Sequence, residues 1–451
     1  MSSPTPPKAQ DPTLAARSLR AVWHPCTQMK LHEGLPPLAI ARGDGAWLVA
    51  EDGTRYLDAI SSWWVNLFGH GHPHIRAAIH AQLDTLEHVM LAGFTHEPVV
   101  RLSERLGALT GLGHAHYGSD GASAVEVALK MSAHFWRNRG QPGKTRFVAL
   151  AGGYHGETLG ALAVTDIPLF RDTYSALLRD CTILPSPDWR QAPAGEDALA
   201  FARRQALLLE AHLAQHHAET AALILEPLIQ CAGGMAMHHA EYLRLARELC
   251  TLYGVHLICD EIAVGFGRTG SMFAHQQAGI RPDFLCLSKG LSGGFLPLAV
   301  TLTTDQVYQA FYHHEVRRGF LHSHSYTGNP LACAAANAVL DLFEASDVLA
   351  ANAALAARID AAAETLRRHP RIRHWRRTGM VWAFDVALDD AERRGPRAAV
   401  GMRIARAALA RNLLLRPIGD TVYWMPPYCL DDDAVRVMVD GTIGALEEAV
   451  G

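Results

Sequence analysis

The sequence predicts an α/β protein with a large domain on a mostly parallel central sheet and a second, smaller α+β domain. Between residues 75 and 345, helical stretches alternate with short, continuous apolar runs. Continuous apolar runs are typical of strands buried on both faces, and strands that alternate with helices indicate a parallel sheet. After Pro370 this alternation gives way to a mixed pattern, which indicates a separate α+β unit.

The first 62 residues contain a tail and a group of short strands. Residues 1–20 are rich in proline and serine, so we expect a mobile tail. Residues 38–60 predict short strands with a turn at residues 51–54, EDGT. We expect these strands to join the smaller domain, which makes residues 1–62 an N-terminal segment of that domain.

Residues 63–340 form the predicted large domain. Its predicted helices cover residues 75–90, 97–109, 122–138, 198–217 and 240–253. Its predicted strands cover residues 147–150, 221–226, 256–259, 284–287 and 299–302. A further helix is expected to begin at Asn329-Pro330 and to run to about residue 345, because asparagine caps helices well and proline suits their first turn.

Residues 341–451 form the predicted smaller domain. We expect helices at 348–368, 397–411 and 432–449, and strands at 380–387 and 413–425. The first of these helices is rich in alanine and stops before Pro370, which cannot continue a helix.

Composition excludes several classes of protein. The 451 residues carry 41 Lys plus Arg against 45 Asp plus Glu, a net charge of −4, whereas nucleic-acid-binding domains usually carry a basic excess. No apolar run is long enough for a membrane helix, and we expect no secretory signal. Eight cysteines without a C-x-x-C pair indicate a reducing cytoplasm. The 25 histidines include no H-E-x-x-H motif, so we expect no metal site.

Two chemically active residues follow neighbouring predicted strands. Asp260 ends the run HLICD, and Lys289 follows the run FLCLS. Ligands of open α/β sheets bind beyond the carboxyl ends of the strands, so we expect both side chains at the same edge. Taken alone, the pair would equally fit a buried ion pair.

Two glycine-rich segments complete the pattern. Gly121 and Ala122 stand in GSDGAS (118–123), before a predicted helix whose start offers unpaired N–H groups and a positive dipole end to an anion. Tyr154 stands in GGYHG (152–156), after a predicted strand. Each segment is a weak signal by itself, because glycine before a helix and tyrosine in a loop are both common.

Together the four parts specify pyridoxal 5'-phosphate (PLP). A lysine forms a Schiff base with the aldehyde of this cofactor, and an aspartate pairs with its protonated ring nitrogen. A helix start binds the phosphate, and an aromatic side chain covers the ring. No other common cofactor requires this set.

The chain resembles the class III, fold-type I aminotransferases over nearly all of its length. The motifs DEIAVGFGRTG (260–270) and LSKGLSGG (287–294) are highly specific for that family. Within the family, four stretches resemble the branch that converts 8-amino-7-oxononanoate to 7,8-diaminononanoate in biotin biosynthesis. They are WHPCTQMK (23–30), SSWWVNLFGHGHP (61–73), HVMLAGFTHEP (88–98) and HSHSYTGNPLACAAANA (322–338).

The resemblance implies roles for the cofactor-binding residues. Lys289 is the Schiff-base lysine and proton carrier, Asp260 pairs with the ring nitrogen, and Tyr154 covers the ring and borders the substrate. Gly121 and Ala122 donate backbone N–H groups to the phosphate.

The resemblance also implies a homodimer with shared active sites. His324 and Ser325 would reach the phosphate held by the neighbouring subunit. We expect no partner beyond this second copy and the small-molecule substrates, and neither nucleic acid nor membrane.

A further set of residues is implied for the substrate. Trp63, Trp64 and Ser323 line the pocket, although two core tryptophans beside a Ser-Ser turn remain an alternative reading of the tandem pair. Arg416 binds a substrate carboxylate by a two-pronged contact. Arg268 helps to organise the pocket.

Three residues depart from the pattern of the family. Cys26 stands where members often have a substrate-contacting tyrosine, Glu157 where they often have aspartate, and Ala122 where they have a hydroxyl residue. Because the first two positions lie near the amino group of the donor in the family, both S-adenosyl-L-methionine, the usual donor, and lysine stay open.

The expected reaction is a ping-pong transamination in which the cofactor alternates between PLP and pyridoxamine phosphate. One alternative is another class III enzyme that acts on ω-amino acids or diamines. A second is a different PLP chemistry, such as that of a mutase or decarboxylase. A third, a PLP-sensing regulator without catalysis, would need a DNA-binding module, for which the short tail and the charge of −4 leave no room.

Overall fold

The computed structural model describes residues 13–390, 392 and 399–450. Four β-sheets are present in this part of the chain. The strands are β1 (Ile40–Asp44), β2 (Trp47–Ala50), β3 (Arg55–Asp58), β4 (His114–Gly118), β5 (Arg146–Leu150), β6 (Thr182–Leu184), β7 (Thr220–Leu225), β8 (Ile229–Gln230), β9 (Ala236–Met237), β10 (His256–Asp260), β11 (Phe284–Leu287), β12 (Ala299–Thr303), β13 (Ile372–Thr378), β14 (Val381–Val386), β15 (Leu413–Leu414) and β16 (Thr421–Trp424).

Helices connect and cover these strands. They are α1 (Leu14–Ala21), α2 (Ser61–Trp64), α3 (Pro73–Leu83), α4 (Glu97–Thr110), α5 (Gly121–Asn138), α6 (Leu159–Ala163), α7 (Pro168–Arg171), α8 (Ala198–His216), α9 (Ala240–Leu252), α10 (Asp305–Gln309), α11 (Pro330–Ala345), α12 (Val348–Ala362), α13 (Glu364–Arg367), α14 (Val400–Leu409) and α15 (Asp432–Val450).

The largest sheet has seven strands in the order β4-β12-β11-β10-β7-β5-β6. Strands β6, β5, β7, β10 and β11 pair in parallel, and β12 runs antiparallel to both of its neighbours. The predicted mostly parallel sheet is therefore confirmed. The carboxyl ends of β5, β7 and β10 lie at the same edge, which is where an open α/β sheet binds its ligands.

Helices cover both faces of this sheet. Successive residues of a strand point to opposite faces, so Ala222 and Ile224 of β7 join the core under α5, whereas Leu223 and Leu225 join the core under α8, α9 and α11. All of these strand residues are buried. This arrangement explains the continuous apolar runs in the sequence.

Two smaller sheets combine the start and the end of the chain. Strand β3 pairs in parallel with β15, so the strands of residues 40–58 share a sheet with the C-terminal region. The other sheet has the order β13-β14-β16. This pairing supports the predicted union of residues 1–62 with the smaller domain, and the boundaries at 62/63 and 340/341 stay predictions.

One predicted strand, at residues 413–425, is in fact two strands in two different sheets. Leu413–Leu414 pairs with β3, and Thr421–Trp424 pairs with β14. Pro417 and Gly419, whose φ is +57°, break the run between them. Arg416 therefore lies in the turn that joins the two sheets.

Other predicted boundaries differ by a few residues. The helix predicted at 75–90 ends at Leu83, because the N–H groups of Asp84 and Thr85 close the last turn on the carbonyls of His80 and Gln82. The helix predicted at 348–368 is interrupted at residue 363 and continues as α13. Five strands that we did not predict, β4, β6, β8, β9 and β13, are short or polar.

The predicted mobile tail is partly helical. Residues 14–21 form α1, and the Oγ1 of Thr13 caps it by accepting a hydrogen bond from the N–H of Ala16 at 3.2 Å. Residues 1–12 lie outside the described part of the chain, as do the first two residues of the helix predicted at 397–411.

The sequence predicts neither a membrane helix nor a metal site. In this part of the chain, no helix combines the length and apolar character that a membrane crossing requires. The same residues bring together no group of histidine, cysteine and acidic side chains that could bind a metal ion.

Candidate active site

A cavity of ≈ 730 Å³ lies beyond the carboxyl ends of β7 and β10, beside the loop that follows β11. Its volume is in the usual range for a small-molecule site. It brings together predicted site residues that are widely separated in sequence. Those in its walls are Trp64, Gly121, Ala122, Tyr154, Glu157, Asp260 and Lys289.

Lys289 begins a single 3₁₀ turn directly after β11 and has a left-handed φ of +46°. A positive φ is strained for a residue with a side chain, and such strain is common at functional sites. Its Nζ lies 5.0 Å from the centre of the Trp64 ring. Burial lowers the pKa of Lys289, although Asp260 and Glu226 act in the opposite direction. The lowered pKa favours the neutral, nucleophilic amine.

Asp260 is the last residue of β10, and its carboxylate is held from two sides. Its Oδ2 lies 2.7 Å from Nδ1 of His155, and its Oδ1 accepts the N–H of Ile262 at 3.1 Å. Both Asp260 and His155 are buried. The Nε2 of His155 is also buried and has no hydrogen-bond partner among the residues that the structure describes.

Glu226 is a cavity residue that the sequence analysis missed. It directly follows β7 and is 5% exposed. Its Oε1 accepts the N–H of Tyr154 at 3.0 Å, and its Oε2 accepts the N–H of Cys231 at 2.9 Å. Burial raises the pKa of Glu226 to about 7. The signal was available, because Glu226 ends a predicted strand just as Asp260 does.

The start of α5 forms an anion-binding cradle. Oδ1 of Asp120 caps the helix by accepting the N–H of Ser123 at 2.9 Å. The backbone N–H groups of Gly121 and Ala122 donate to no other described residue. A Cβ atom on Gly121 would lie only 2.9 Å from Ile262, so this position requires glycine. Unpaired N–H groups and the helix dipole together favour an anion here.

The two tandem tryptophans have different surroundings. Trp64 is 5% exposed, and its Nε1 donates to the hydroxyl of Tyr423 at 3.0 Å. Trp63 is 39% exposed and carries the Arg416 guanidinium 4.4 Å from its ring centre. Trp64 is therefore a buried wall of the cavity, whereas Trp63 lies outside the walls of the cavity.

Four predicted substrate residues lie close to one another. The hydroxyl of Tyr154 donates to Oε1 of Glu157 at 2.9 Å, and burial together with this carboxylate raises the pKa of Tyr154. The Nη2 of Arg416 donates to the carbonyl of Cys26 at 3.4 Å. Cys26 is also close enough to Tyr154 that a thiolate at this position would raise the pKa of Tyr154 further.

Arg268 does not line the cavity. It is 1% exposed, and its guanidinium donates to the carbonyls of Pro426 at 2.5 Å and Asn66 at 2.8 Å, beside the ring of Tyr428. Two of its donors thus join segments of the chain, and a role of Arg268 in substrate binding stays a prediction.

Ser323, His324 and Ser325 lie apart from the cavity of their own chain. They belong to the segment that precedes α11, and no residue of this trio is in the cavity wall. His324 is half-buried, and the two serines are exposed.

The residues of the cavity fit PLP. The free N–H groups at the start of α5 suit its phosphate, and the amine of Lys289 suits its aldehyde. The firmly held carboxylate of Asp260 suits a protonated ring nitrogen. The cofactor requires each of these groups, and all of them face the same cavity.

Comparisons with known proteins agree with this chemistry. The family model described as aminotransferase class-III matches residues 29–446. A relative from Helicobacter pylori, named adenosylmethionine-8-amino-7-oxononanoate aminotransferase, is 45% identical over 442 residues, which cover 96% of this chain and 98% of the relative.

Two solved structures are similar over nearly the whole chain. One is the protein of that same name from Methanocaldococcus jannaschii, with a TM-score of 0.88 and 33% identity, covering 96% of this chain and 98% of the other. The second is an amine transaminase from an uncultivated Pseudomonas species in its PLP-bound form, with a TM-score of 0.89 and 34% identity, covering 95% and 99%. The chain described above thus belongs to the class III aminotransferases.

Proposed function

We propose that this aminotransferase converts 8-amino-7-oxononanoate to 7,8-diaminononanoate, with PLP as its cofactor and S-adenosyl-L-methionine as its amino donor. The observation that carries the proposal is the 45% identity, over 96% of the chain, to the Helicobacter pylori relative whose name gives both substrates. The tandem tryptophans and the position of Arg416 support it, because the acceptor combines a long methylene chain with a carboxylate.

The cofactor would be held by groups from four segments. Gly121 and Ala122 would donate their N–H groups to the phosphate, and Tyr154 would cover the ring. Asp260, oriented by His155, would accept the hydrogen bond of the protonated ring nitrogen. When bound, PLP supplies an electron sink for the bonds at the reacting carbon of the substrate.

Lys289 would move the proton of the reaction. Its Nζ would take the proton from the α-carbon of the donor amine and would deliver it to the former aldehyde carbon of the cofactor. The lowered pKa suits this role, because a neutral amine can accept a proton and an ammonium cannot. The indole ring of Trp64 beside Nζ excludes water from this side.

The acceptor would be bound at both of its ends. Arg416 would take the terminal carboxylate by two parallel hydrogen bonds. The methylene chain would pack against Trp63 and Trp64, and each buried methylene contributes about 0.8 kcal/mol. Ser323 would complete this pocket from the neighbouring subunit.

The amino donor would be recognised near Cys26 and Glu157. The Glu157 carboxylate is held by the Tyr154 hydroxyl, so it can face a positively charged amino group. Both S-adenosyl-L-methionine and lysine carry such groups, and this chain's departures at the two positions make lysine the alternative donor.

A homodimer is part of the proposal. His324 and Ser325 would reach the phosphate in the partner's cavity, which agrees with their position outside their own cavity. Large apolar side chains in residues 88–98 and 321–326 are exposed and would be covered by the second copy: Met90, Phe94, Leu321 and Tyr326. We further propose a cytoplasmic location, supported by eight cysteines that are all free thiols.

A second candidate is a broader amine transaminase, which the similarity to the Pseudomonas structure favours. A mass-spectrometric assay separates the two. The purified holoenzyme is incubated with 8-amino-7-oxononanoate or a simple ketone as acceptor and, in turn, with S-adenosyl-L-methionine, lysine or a simple ω-amine as donor. Diaminononanoate formed with S-adenosyl-L-methionine supports the proposal, formation with lysine alone changes the donor, and turnover restricted to simple amines and ketones supports the second candidate.

Lys289→Ala should abolish both turnover and the visible absorbance of lysine-linked cofactor, because alanine has no amine for the Schiff base. The absorbance spectrum and the assay above are the measurements. Lys30→Ala, which removes an exposed lysine paired with Glu33, serves as the control and should behave as wild type. Turnover of Lys289→Ala at the wild-type rate would contradict the assignment.

A further inference from the structure

Three basic side chains, Lys130, His322 and His324, form a hydrogen-bonded relay that links α5 to the segment before α11. The Nζ of Lys130 lies 2.8 Å from Nδ1 of His322, and Nε2 of His322 lies 3.3 Å from Nε2 of His324. Lys130 is on α5, the helix whose start forms the anion-binding cradle. His324 is one of the residues that we expect to reach the partner's cavity.

The chemistry of these groups fixes the direction in which hydrogen bonds are donated along the relay. A lysine ammonium can only donate, so Nδ1 of His322 must accept and the ring proton of His322 must be on Nε2. That Nε2–H then donates to Nε2 of His324, which places the proton of His324 on Nδ1. The Nδ1 of His324 has no partner among the described residues.

Neighbouring groups hold the middle ring in place. His116, on β4, lies with its Nε2 3.1 Å from the carbonyl of His322. The ring of Phe320 stacks on that of His322, with centroids 5.9 Å apart and an interplanar angle of 22°. The position of His322 between Lys130 and His324 is therefore set by backbone and ring contacts as well as by the relay itself.

We propose that Lys130 and His322 are positioning residues that fix His324 as an Nδ1–H donor for the phosphate of the cofactor bound by the partner subunit. The proposal rests on the proposed function, which supplies the cofactor and the dimer. The relay begins at a cation, so it polarises each following N–H toward donation, and an anion is the acceptor that benefits most. A neutral His324 thereby gains part of the effect of a charge.

Acid should break this relay. The titratable groups around His322 are Lys130 and Glu126 from α5, His116 from β4 and His324 from its own segment. Burial and then Lys130 lower the pKa of His322, so its Nδ1 stays free to accept at neutral pH. Below that lowered pKa the ring of His322 carries a proton on Nδ1. The Nδ1–H of His322 and the ammonium of Lys130 are then both donors, so their hydrogen bond is lost.

The test compares PLP affinity in variants of the full-length enzyme. Apo-protein is titrated with PLP, and the visible band of the lysine-linked cofactor is followed. Lys130→Met and His322→Ala should each raise the Kd for PLP about tenfold, the loss expected for one hydrogen bond to a charged group. Lys130→Arg retains a pure donor and should stay near wild type. Lys30→Met is the control for the loss of an exposed lysine.

A second measurement reports the tautomer directly. In ¹⁵N-histidine spectra, the signal of His324, assigned with a His324→Gln variant, should show the proton on Nδ1 in wild type and on both nitrogens in Lys130→Met. A proton on Nε2 of His324 in wild type would overturn the proposal, as would an unchanged Kd for Lys130→Met. A weaker Kd accompanied by dissociation into monomers in sedimentation would overturn it as well.

These outcomes differ from a failure of the proposed function. If wild type forms no diaminononanoate and no lysine-linked PLP, the proposed function fails. If wild type does both and Lys130→Met binds PLP equally well, only the relay fails.

Discussion

Arg416 is held in place before any substrate arrives. Its guanidinium stacks 4.4 Å from the Trp63 ring centre and reaches the Cys26 carbonyl, in a turn between two sheets. If it binds the acceptor carboxylate, Arg416→Ala should raise the KM for 8-amino-7-oxononanoate about 10- to 100-fold. Steady-state kinetics with the oxononanoate and with a carboxylate-free amine would measure this.

A second arginine variant serves as the control for this kinetic comparison. Arg42→Ala removes an exposed arginine that pairs with Asp44 at 3.2 Å and should leave both KM values unchanged. Equal increases of the two KM values in Arg416→Ala would remove its role as a carboxylate clamp. Arg416→Lys should recover little of the affinity, because an ammonium cannot make the two parallel contacts.

Glu226 makes stability depend on pH in a defined direction. Burial raises its pKa from 4.5 to about 7, so its protonated form stabilises the fold. That contribution is fully present below pH 4.5 and is lost as the pH rises to about 7, an expected loss of roughly 3 kcal/mol in the free energy of unfolding. Chemical denaturation of the apo-protein at pH 5 and pH 8 is the measurement.

A Glu226→Gln variant isolates this effect. Glutamine stays neutral at all pH values, so the free energy of unfolding of the variant should lack the part of the decrease between pH 5 and pH 8 that Glu226 causes in wild type. Glu33→Gln changes an exposed glutamate in the same way and should decline like wild type. If Glu226→Gln and wild type lose the same stability over this range, the raised pKa is not expressed in the folded protein.

Residues in motifs and at the ends of apolar runs could be predicted, and the contacts between distant segments could not. Lys289 and Asp260 each end an apolar run within a distinctive sequence, and the structure places both in the cavity. His155 contacts Asp260, and Glu226 accepts the N–H of Tyr154, only because β7, β10 and the loop after β5 are neighbours in the folded sheet. Sequence spacing carries no information about that contact.

At the scale of elements, the start of α11 was predicted from two residues. Oδ1 of Asn329 accepts the N–H of Ala332 at 3.1 Å, and Pro330 occupies the first turn. Asn329→Ala should lower the free energy of unfolding by about 1 kcal/mol, the usual cost of a lost cap. Thermal or chemical denaturation would measure it.

The matched variant at this position keeps the cap. Asn329→Asp retains the acceptor and loses only the donor to the carbonyl of Glu87, so it should be closer to wild type than Asn329→Ala. Equal destabilisation by both would assign the effect to the Glu87 contact rather than to capping.

Elements with a strong local signal were predicted well. The five predicted strands of the large sheet agree with the structure within about two residues, because their apolar runs are buried on both faces. Strands β4 and β13 were missed, since HAHYG and IRHWRRT are too polar to be distinguished from loops. These two polar segments are held as strands by their pairing with β12 and β14, which local sequence does not reveal.

At the scale of the whole molecule, Arg268 joins distant parts of the chain. From the loop after β10 it donates to the carbonyls of Asn66 and Pro426 and lies beside the Tyr428 ring. Burial lowers the pKa of Arg268, and the carbonyl contacts offset part of the cost of removing its charge from water. Arg268→Lys should lower the free energy of unfolding by about 2–4 kcal/mol, because a lysine cannot reach both carbonyls with a planar fork.

This prediction separates a structural role from substrate binding. The apo-protein should show the lower unfolding temperature, while the KM of the remaining folded enzyme for either substrate should change little. A large rise in KM without loss of stability would instead indicate that Arg268 binds the substrate. Arg317→Lys, at an exposed arginine, is the control for the arginine-to-lysine exchange.

The sequence by itself determined the fold class, the cofactor chemistry and the identity of Lys289 and Asp260, because apolar periodicity and a few motif residues act locally. Tertiary structure decided the properties that depend on contacts between distant segments. These are the raised pKa of Glu226, the contacts of Arg268 with two distant carbonyls, the burial of Trp64 but not of Trp63, and the relay from Lys130 to His324. Burial and hydrogen-bond partners set these properties, and both arise only when strands far apart in sequence meet at one sheet edge.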